Sequence, residues 1–335
     1  MARYIADQDK TVFLLESGTY ANTSGPGFWP GLVTGIEIEN AENLIQTRYL
    51  GTATRNLDVQ DQGPLDVTAT LTYAPQDMKV MFWAIGSVTD VSGTVAVHNA
   101  TEINTDSRQN VHTSGTLNPP KSWTIENSKQ APGTGANFIR TIRGAVPNTT
   151  TLTVTQGERV TIEQEFIGQS ISFGSGTTTS VTEKTIPSYL WSDGQLTIAG
   201  STVPTTTEVV LEINQNIQGN HYVNGSRTVA TPFPGNRDYT LTVNTDLNNP
   251  EATRWFRDLF KGGSSFNAQL DLNADNRGQT GSQHTQFAMS GCRISEMEIP
   301  SLNEGVTEAT VIITPESISA KDWTNGATQA EYAKV

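Results

Sequence analysis

Residues 239–263 constrain the fold most, because they read as a strand, a turn and a complete helix. Apolar and polar residues alternate over 239–244, which is the pattern of a strand with one buried face. Asn249 and Pro250 suit the cap and the first position of a helix, and Gly262 suits its end. The apolar stripe of this helix consists of Trp255, Phe256, Leu259 and Phe260. The spacing predicts a helix that packs against a sheet.

A second stretch of the same kind occupies residues 65–86. Apolar and polar residues alternate along its first part, Pro75 opens a helix and Gly86 closes it. The apolar positions of this helix are Met78, Met81, Phe82, Trp83 and Ile85. Trp83 precedes Trp255 by 172 residues (255 − 83), about half of the chain. We interpret the two stretches as equivalent parts of a duplicated domain.

Two later segments also match, residues 157–172 and 305–319, which end in QSIS and ESIS. Their first glycines are 148 residues apart (305 − 157), which is 24 fewer than the 172 residues between the two tryptophans. The first half therefore holds additional sequence, which we assign to a polar, turn-rich insertion at about 87–135. We predict a first domain at 1–175 and a second domain at 176–335.

Composition favours a mainly β fold, since Thr, Asn and Gly are abundant and long apolar runs are few. A chain of 335 residues is long enough for two domains, each with its own core. We predict two tandem β-sandwich or half-barrel domains, each with one flanking α-helix. Residues 16–35 read as an ordered loop anchored by Phe28 and Trp29, and residues 44–59 read as a hairpin.

The charge and the cysteine content exclude several classes of function. A net charge of −13 disfavours a wrap of nucleic acid by basic residues. Cys292 is the only cysteine, so neither an intrachain disulfide nor a cysteine-based metal site can form. We expect no signal peptide, because acidic residues interrupt the N-terminal segment, and no membrane partner, because no stretch is long and apolar enough to span a bilayer.

The motifs of common enzymes are missing from the sequence. The four histidines are scattered, and neither a nucleophile elbow nor a P-loop occurs. A calcium loop would take its oxygen ligands from Asp271, Asn273 and Asp275. The run departs from that motif at Asn276, where glycine belongs, and at Ser282, where the bidentate glutamate belongs. A polar hairpin turn accounts for the same residues, so we predict no catalytic residue, metal or cofactor.

In this arrangement the chain resembles the tail tube, or major tail, proteins of long-tailed bacterial and archaeal viruses. The resemblance rests on ESGTYA at 16–21, on FWAIG at 82–86, on WFRDLFKGG at 255–263, and on the closing strands that end in SIS. The order and the duplication of these motifs carry the match, which covers nearly the whole chain outside the insertion.

The resemblance implies a β-sandwich whose inner sheet joins its neighbours in a closed barrel. Since single-domain members form hexameric rings, a duplicated chain should form trimeric rings with pseudo-sixfold symmetry. The rings would stack into a tube that conducts genomic DNA from capsid to host. The implied partners are further copies of the chain, other tail proteins at the tube ends, and the tape measure protein and genomic DNA in the lumen. The implied location is the virion tail, after synthesis in the host cytoplasm.

Within this framework we expect residues 157–172 and 305–319 to be long barrel strands. We expect the insertion at 87–135 to reach a neighbouring ring or the tube exterior.

Two other functions stay open. The first is a carbohydrate-binding β-sandwich adhesin of a virion or cell surface, with Trp29, Trp191 and Trp323 as stacking platforms. The second is a hydrolase on a β scaffold, which only the abundance of carboxylates supports.

Overall fold

The structure is a computed structural model, and it confirms a mainly β fold. It describes residues 10–16, 20–47, 59–76, 78–91, 97–102, 122–130, 137–175, 179–181, 186–223, 225–230, 232, 234–246, 259–261, 263–274, 283–298 and 308–324. These residues form twenty strands, one α-helix, α1 (Lys79–Ile85), and a short 3-10 helix at Trp191–Asp193. No helix in this described part of the chain is long and apolar enough to cross a membrane.

The strands are, in chain order, β1 (Lys10–Glu16), β2 (Thr23–Phe28), β3 (Leu32–Glu42), β4 (Ile45–Thr47), β5 (Val59–Asp61), β6 (Leu65–Ala74), β7 (Gly86–Val91), β8 (Val97–Glu102), β9 (Trp123–Gln130), β10 (Asn137–Thr155), β11 (Thr161–Gly168), β12 (Ser170–Gly174), β13 (Gly194–Ile198), β14 (Ser201–Thr202), β15 (Thr206–Asn214), β16 (Asp238–Asp246), β17 (Phe266–Asn273), β18 (Gln283–Glu298), β19 (Glu308–Thr314) and β20 (Ser317–Thr324).

Three antiparallel sheets contain all of these strands except β4 and β5, which pair as the predicted hairpin. The central sheet has the order β3-β6-β11-β10-β15-β16-β19-β18. The first flanking sheet has the order β2-β1-β9-β10-β12. The second has the order β14-β13-β17-β18-β20-β8-β7. The core lies between the central sheet and the flanking sheets.

The central sheet contains the same four-strand arrangement twice, because β3-β6-β11-β10 is followed by β15-β16-β19-β18 in the same order and direction. The pairing registers also agree, including their irregularities. A bulge between Val33 and Gly35 in β3 has a counterpart between Thr206 and Glu208 in β15. Likewise β10 has a bulge between Pro147 and Thr149, and β18 has its counterpart between Ile294 and Glu296. Counterparts lie 173 residues apart for β3 and β15 (208 − 35), and 147 residues apart for β10 and β18 (294 − 147).

β10 and β18 turn a corner from a flanking sheet into the central sheet, and a glycine lies at each corner. Gly144 has φ +66° and Gly291 has φ +62°, the left-handed region that favours glycine. Each corner also accepts a hydrogen bond from the strand that leaves the central sheet: Gln169 N donates to Arg143 O, and Glu316 N donates to Ser290 O. The long strands of the fold are therefore β10 and β18.

This geometry corrects the prediction of long strands at residues 157–172 and 305–319. Each segment breaks into two strands that belong to different sheets, β11 with β12 and β19 with β20. The break occurs because the chain steps from one sheet to another at Gln169 and at Glu316, which lie beside the two glycine corners. The prediction of a loop at 16–35 was also wrong, since β2 and the start of β3 lie there. The predicted anchors hold: Phe28 is buried against Trp123, and the Trp29 indole donates to Gln76 Oε1 at 2.8 Å.

A buried carboxylate holds the first corner, and it belongs to the ESGTYA motif. Glu16 is fully buried and accepts hydrogen bonds from Ser122 Oγ, from Thr124 Oγ1 at 2.8 Å and from Gly144 N at 2.8 Å. The Tyr20 hydroxyl donates to Gly144 O at 2.9 Å. Burial and the neighbouring Glu16 carboxylate raise the pKa of Tyr20 well above its usual value.

We predict that Gly144→Ala will destabilise the chain by about 2 to 4 kcal/mol, because left-handed strain adds to overpacking. A Cβ at this position would lie 2.7 Å from Tyr20 Cζ. Gly157→Ala is the matched control, since Gly157 also has a positive φ (+85°) but nothing within 4 Å of its added Cβ. The control should lose only about 1 kcal/mol. Urea unfolding measures both, and equal losses would contradict the steric account.

α1 is buried on all sides, which corrects the prediction of a helix that flanks the sandwich. All seven of its residues are buried. The Trp83 ring packs edge-on against Trp123 of the first flanking sheet, with centroids 6.1 Å apart. The Phe82 ring packs in the same way against Phe287 of the second flanking sheet, at 6.0 Å. The helix therefore lies between the two halves of the chain and contacts both.

Polar groups from the second half also satisfy both ends of α1. Met78 N donates to Asp322 Oδ2 at 3.4 Å. At the other end Gln215 Nε2 donates to Ala84 O, and Arg237 donates to Ile85 O at 2.6 Å. A helix leaves its last carbonyls without intrahelical partners, so these donors complete its hydrogen bonding.

The segment predicted as an insertion contains regular structure. β7 and β8 form a hairpin, and β8 pairs with β20, so the hairpin extends the second flanking sheet. β9 lies inside the first flanking sheet between β1 and β10, and its Trp123 is fully buried. Residues 103–121 lie outside the described part of the chain.

Candidate functional surface

One face of the central sheet packs on the core, and the opposite face is polar. Strand alternation sets this division, since residues such as Leu71, Ile162 and Leu211 are buried while their sequence neighbours point away. We call the polar side the acidic face. Its carboxylates are Glu37, Glu39, Asp66, Glu163, Glu165, Glu208, Glu212, Asp238, Asp246, Glu296, Glu298 and Glu308.

Positive charge is nearly absent from the acidic face. Among the described residues of the eight strands, Arg293 is the one lysine or arginine on it. It lies at the end of the sheet, where its guanidinium donates to Gly263 O at 3.2 Å. Most of the remaining positions are threonine, a β-branched residue that suits a strand with one solvated face. The face therefore offers carboxylates and hydroxyls, and few cations that could grip a polyanion.

Hydrogen bonds between side chains order part of this face across four strands. Glu208 accepts from Thr155 Oγ1 at 3.1 Å and from Asn244 Nδ2 at 2.7 Å. Thr310 Oγ1 then donates to Asn244 Oδ1 at 2.8 Å. The row crosses β10, β15, β16 and β19, so it also crosses the boundary between the two four-strand units.

The central sheet has two outer edges, β3 and the C-terminal part of β18, and within the described residues neither has a strand on its outer side. Apolar residues on the core side are only partly buried there. Ile36 and Ile38 of β3 are partly buried, whereas their counterparts Val209 and Leu211 are 4% and 0% exposed. The apolar side of the β3 edge is therefore less covered than the same side of β15, its counterpart inside the sheet.

The junction between β10 and β15 shows how such edges fit together. The two strands pair antiparallel from Thr149 opposite Asn214 to Thr155 opposite Glu208. Leu152 and Leu211 meet at its centre and are both fully buried. β10 is the counterpart of β18, and β15 is the counterpart of β3. The two free edges of one chain, β18 and β3, are therefore the counterparts of the two strands that pair at this junction.

Sequence inspection missed the acidic face as a site, although its signal is visible. Glutamates stand two or four residues apart, with core-facing residues between them, in GIEIE at 35–39, in IEQEF at 162–166 and in EVVLE at 208–212. Such a pattern indicates a strand with one solvated face. The sequence does not show that these three strands lie in one sheet with their glutamates on the same side.

The predicted helix residues separate into two groups. Met78, Met81, Phe82, Trp83 and Ile85 are all buried in the core. Trp255 and Phe256 lie outside the described residues. Leu259 packs against the core, whereas Phe260 is 46% exposed.

Of the candidate calcium ligands, Asp271 and Asn273 lie on β17. Asp271 accepts from Gln269 Nε2 at 2.6 Å and from Gln286 Nε2 at 2.9 Å. Burial alone would raise the pKa of Asp271, but His284 and these two amides hold it below its usual value. Asp275 lies outside the described residues, so the cation loop stays untested. Among described residues no group of three His, Cys, Asp or Glu side chains could hold a metal ion.

The candidate stacking tryptophans differ in their surroundings. Trp29 is partly buried and hydrogen-bonded to Gln76. Trp191 is 43% exposed and lines a cavity of about 370 Å³ together with Gln156, Gln195 and Glu208. The side chain of Trp323 lies outside the described residues, although its backbone pairs in β20.

Comparison with protein families identifies a related family. A family model described as phage tail tube protein matches residues 9–320. A search of curated proteins found no match to the chain.

Proposed function

Since the chain belongs to the phage tail tube protein family, we propose that three copies close into a ring and that stacked rings form the tube that conducts viral DNA. Family membership makes the chain a structural component of a virion tail. The chain number per ring, the closure of the barrel and the passage of DNA are the proposed parts. The observation that carries them is the repeated strand order of the central sheet.

The repeated order supports two tube domains in each chain. β3-β6-β11-β10 belong to the first domain and β15-β16-β19-β18 to the second. We keep the proposed boundary near residue 176, and we narrow the insertion to about 87–121, because β9 has a counterpart in β17. Both β9 and β17 pair with the first part of a corner strand.

The β10–β15 junction is the template for the contact between copies. If β18 of one copy pairs with β3 of the next in the same register, Met297 lies opposite Asn40 and Glu296 lies opposite Ala41. The two edges are different surfaces, so the contact is heterologous and closes into a ring when the rotation fits. Pairing also covers the exposed strand edges and the partly buried Ile36 and Ile38.

The strand number fits a channel for duplex DNA. Eight strands from each of three copies give 24, and at a spacing of about 4.8 Å and a tilt of about 40° the backbone diameter is roughly 48 Å. Eight strands alone would close to about a third of that, an interior that side chains fill. With its core side covered by the flanking sheets, the central sheet turns its acidic face to the lumen. Carboxylates there repel the phosphates and let the DNA slide.

Negative-stain electron microscopy of the concentrated protein tests the proposal. Hollow rings or stacked tubes are the expected result. Compact monomers at every concentration, in the native chain at moderate salt, would contradict it.

We predict that deletion of residues 103–118 will leave tube length and ring spacing unchanged. The deletion keeps β8 and its pairing with β20, which a longer deletion from residue 95 would remove. The β7–β8 hairpin extends a flanking sheet, and in the proposed ring the flanking sheets lie outside the central sheet, away from the lumen. Electron microscopy of assembled tubes measures the spacing, and single rings that no longer stack would show instead that the segment joins neighbouring rings.

Trp191 favours the second candidate function, a carbohydrate-binding adhesin. It is exposed beside a cavity that also presents Gln156, Gln195 and Glu208, which suits a sugar ring stacked on an indole. Glycan-array binding by the monomeric chain, lost in Trp191→Ala, would support this function. Binding of no glycan by either protein would end it.

A further inference from the structure

Two phenylalanines on the first flanking sheet form an apolar pair that solvent reaches. The rings of Phe138 and Phe173 stack with centroids 5.8 Å apart and planes inclined by 18°, and Phe173 is 59% exposed. Strand alternation places both on the same face of the sheet as Ile142 and Ile171, which pair opposite one another and contact the core. We call Phe138, Ile171 and Phe173 the phenylalanine patch. It continues the core-facing side of this sheet into solvent, beside Arg140, which pairs opposite Phe173 and donates to Asn127 Oδ1 at 2.6 Å.

The corresponding face of the second flanking sheet is fully covered. The counterparts of the patch, 147 residues later, are Thr285, Ile318 and Ala320, which are 0%, 1% and 4% exposed. Their neighbours Phe287 and Asp322 are also buried.

α1 from the other half of the chain provides part of that cover. Phe82 packs edge-on against Phe287, and Met78 N donates to Asp322 Oδ2 at 3.4 Å. α1 follows β6 of the first four-strand unit and covers the flanking sheet of the second unit. An element of one unit therefore covers the flanking sheet of the unit that follows it along the central sheet.

We infer that a second copy of the chain covers the phenylalanine patch, with the part of its second half that follows β16. This inference rests on the proposed ring, where β18 of one copy pairs with β3 of the next. In that arrangement the first four-strand unit of each copy follows the second unit of the preceding copy along the sheet. Within one chain the second unit follows the first in the same way. Leu259 and Phe260, which follow β16, then lie on the side of the contact that α1 provides after β6.

The surroundings of Leu259 and Phe260 agree with this role. Leu259 contacts the core of its own chain, whereas Phe260 is 46% exposed. Phe173 in the patch and Phe260 after β16 therefore give each chain one exposed apolar group for each side of the contact between copies. The interface between copies would then have two layers, paired strands around the lumen and apolar packing outside them.

Thiol labelling measures whether the patch is covered. Phe173→Cys places a thiol in the patch, and Ser172→Cys places one on the same strand but on the opposite face, where Ser172 is exposed. Cys292 contributes little background, because it is fully buried and burial raises the pKa of its thiol to about 11. Maleimide reaction rates are compared between dilute single chains and assembled rings. Phe138→Cys is a second patch variant in case the first does not assemble.

We expect the rate at position 173 to fall at least about tenfold on assembly, while the rate at position 172 changes by less than about twofold. Equal rates at position 173, or at position 138 if the first variant does not assemble, in chains and rings would overturn the inference and leave the ring intact. A native chain that never forms rings would overturn the inference together with the proposed function, so the two failures are distinguishable.

Discussion

Replacement of Ile38 by lysine will leave the chain folded and will abolish ring formation. In a single chain Ile38 lies on an outer strand and is only partly buried, so a lysine there can extend its ammonium group into water. Its counterpart Leu211, in the junction that already exists, is 0% exposed. Closure of the ring would bury the charge without a partner, at a cost of at least about 3 kcal/mol for each interface, or roughly a hundredfold in affinity.

Circular dichroism and thermal unfolding check the fold of Ile38→Lys, and sedimentation velocity measures assembly. The matched control is Ile312→Lys, an equal change on an inner strand of the same sheet but on the acidic face, opposite Glu296. The control should fold and form rings. Normal rings from Ile38→Lys would show that β3 does not lie at the contact between copies.

The double change Glu163→Lys with Glu212→Lys will make assembled tubes bind DNA. Both glutamates lie on the acidic face, where Thr151 stands between them on the neighbouring strand. Each chain changes its charge by +4, so each proposed ring of three changes by +12 and the change repeats along the tube. Each phosphate that becomes neutralised adds about 0.9 to the slope of log affinity against log salt.

Retention of short DNA duplexes by tubes, measured over a series of salt concentrations, tests this prediction. Native tubes should retain almost none, and the variant tubes should lose their DNA steeply as salt rises. The control carries the same charge change away from the acidic face, with Glu126→Lys in β9 and Glu316→Lys at the second corner. If control and variant tubes hold DNA equally, the acidic face does not line the channel.

Sequence periodicity predicted the elements that depend on local pattern. The alternation in Leu65–Ala74 and in Asp238–Asp246 gave β6 and β16, and Gly86 marks the end of α1 as predicted. The shared endings QSIS and ESIS pointed to matching segments, and the family resemblance agrees with the family model over most of the chain. These features depend on residues close together in sequence, so a single sequence contains them.

The features that the sequence did not reveal depend on distant residues. The corner at Gly144 forms because Glu16, 128 residues away, accepts its amide hydrogen bond, and no local pattern signals that contact. The apolar positions of α1 were predicted, yet the helix buries Lys79 as well, because flanking sheets from both halves pack around it. For the same reason the acidic face could not be recognised, since it exists only once β3, β11 and β15 share a sheet.

In the proposed ring β18 of one copy pairs with β3 of the next, so that three chains close a barrel of 24 strands. An electron cryo-microscopy reconstruction of the assembled tube tests it most directly. We predict three chains per ring, with Met297 opposite Asn40 of the next copy and the acidic face lining the lumen. Six chains per ring, or rings in which β3 and β18 stay unpaired, would contradict the account.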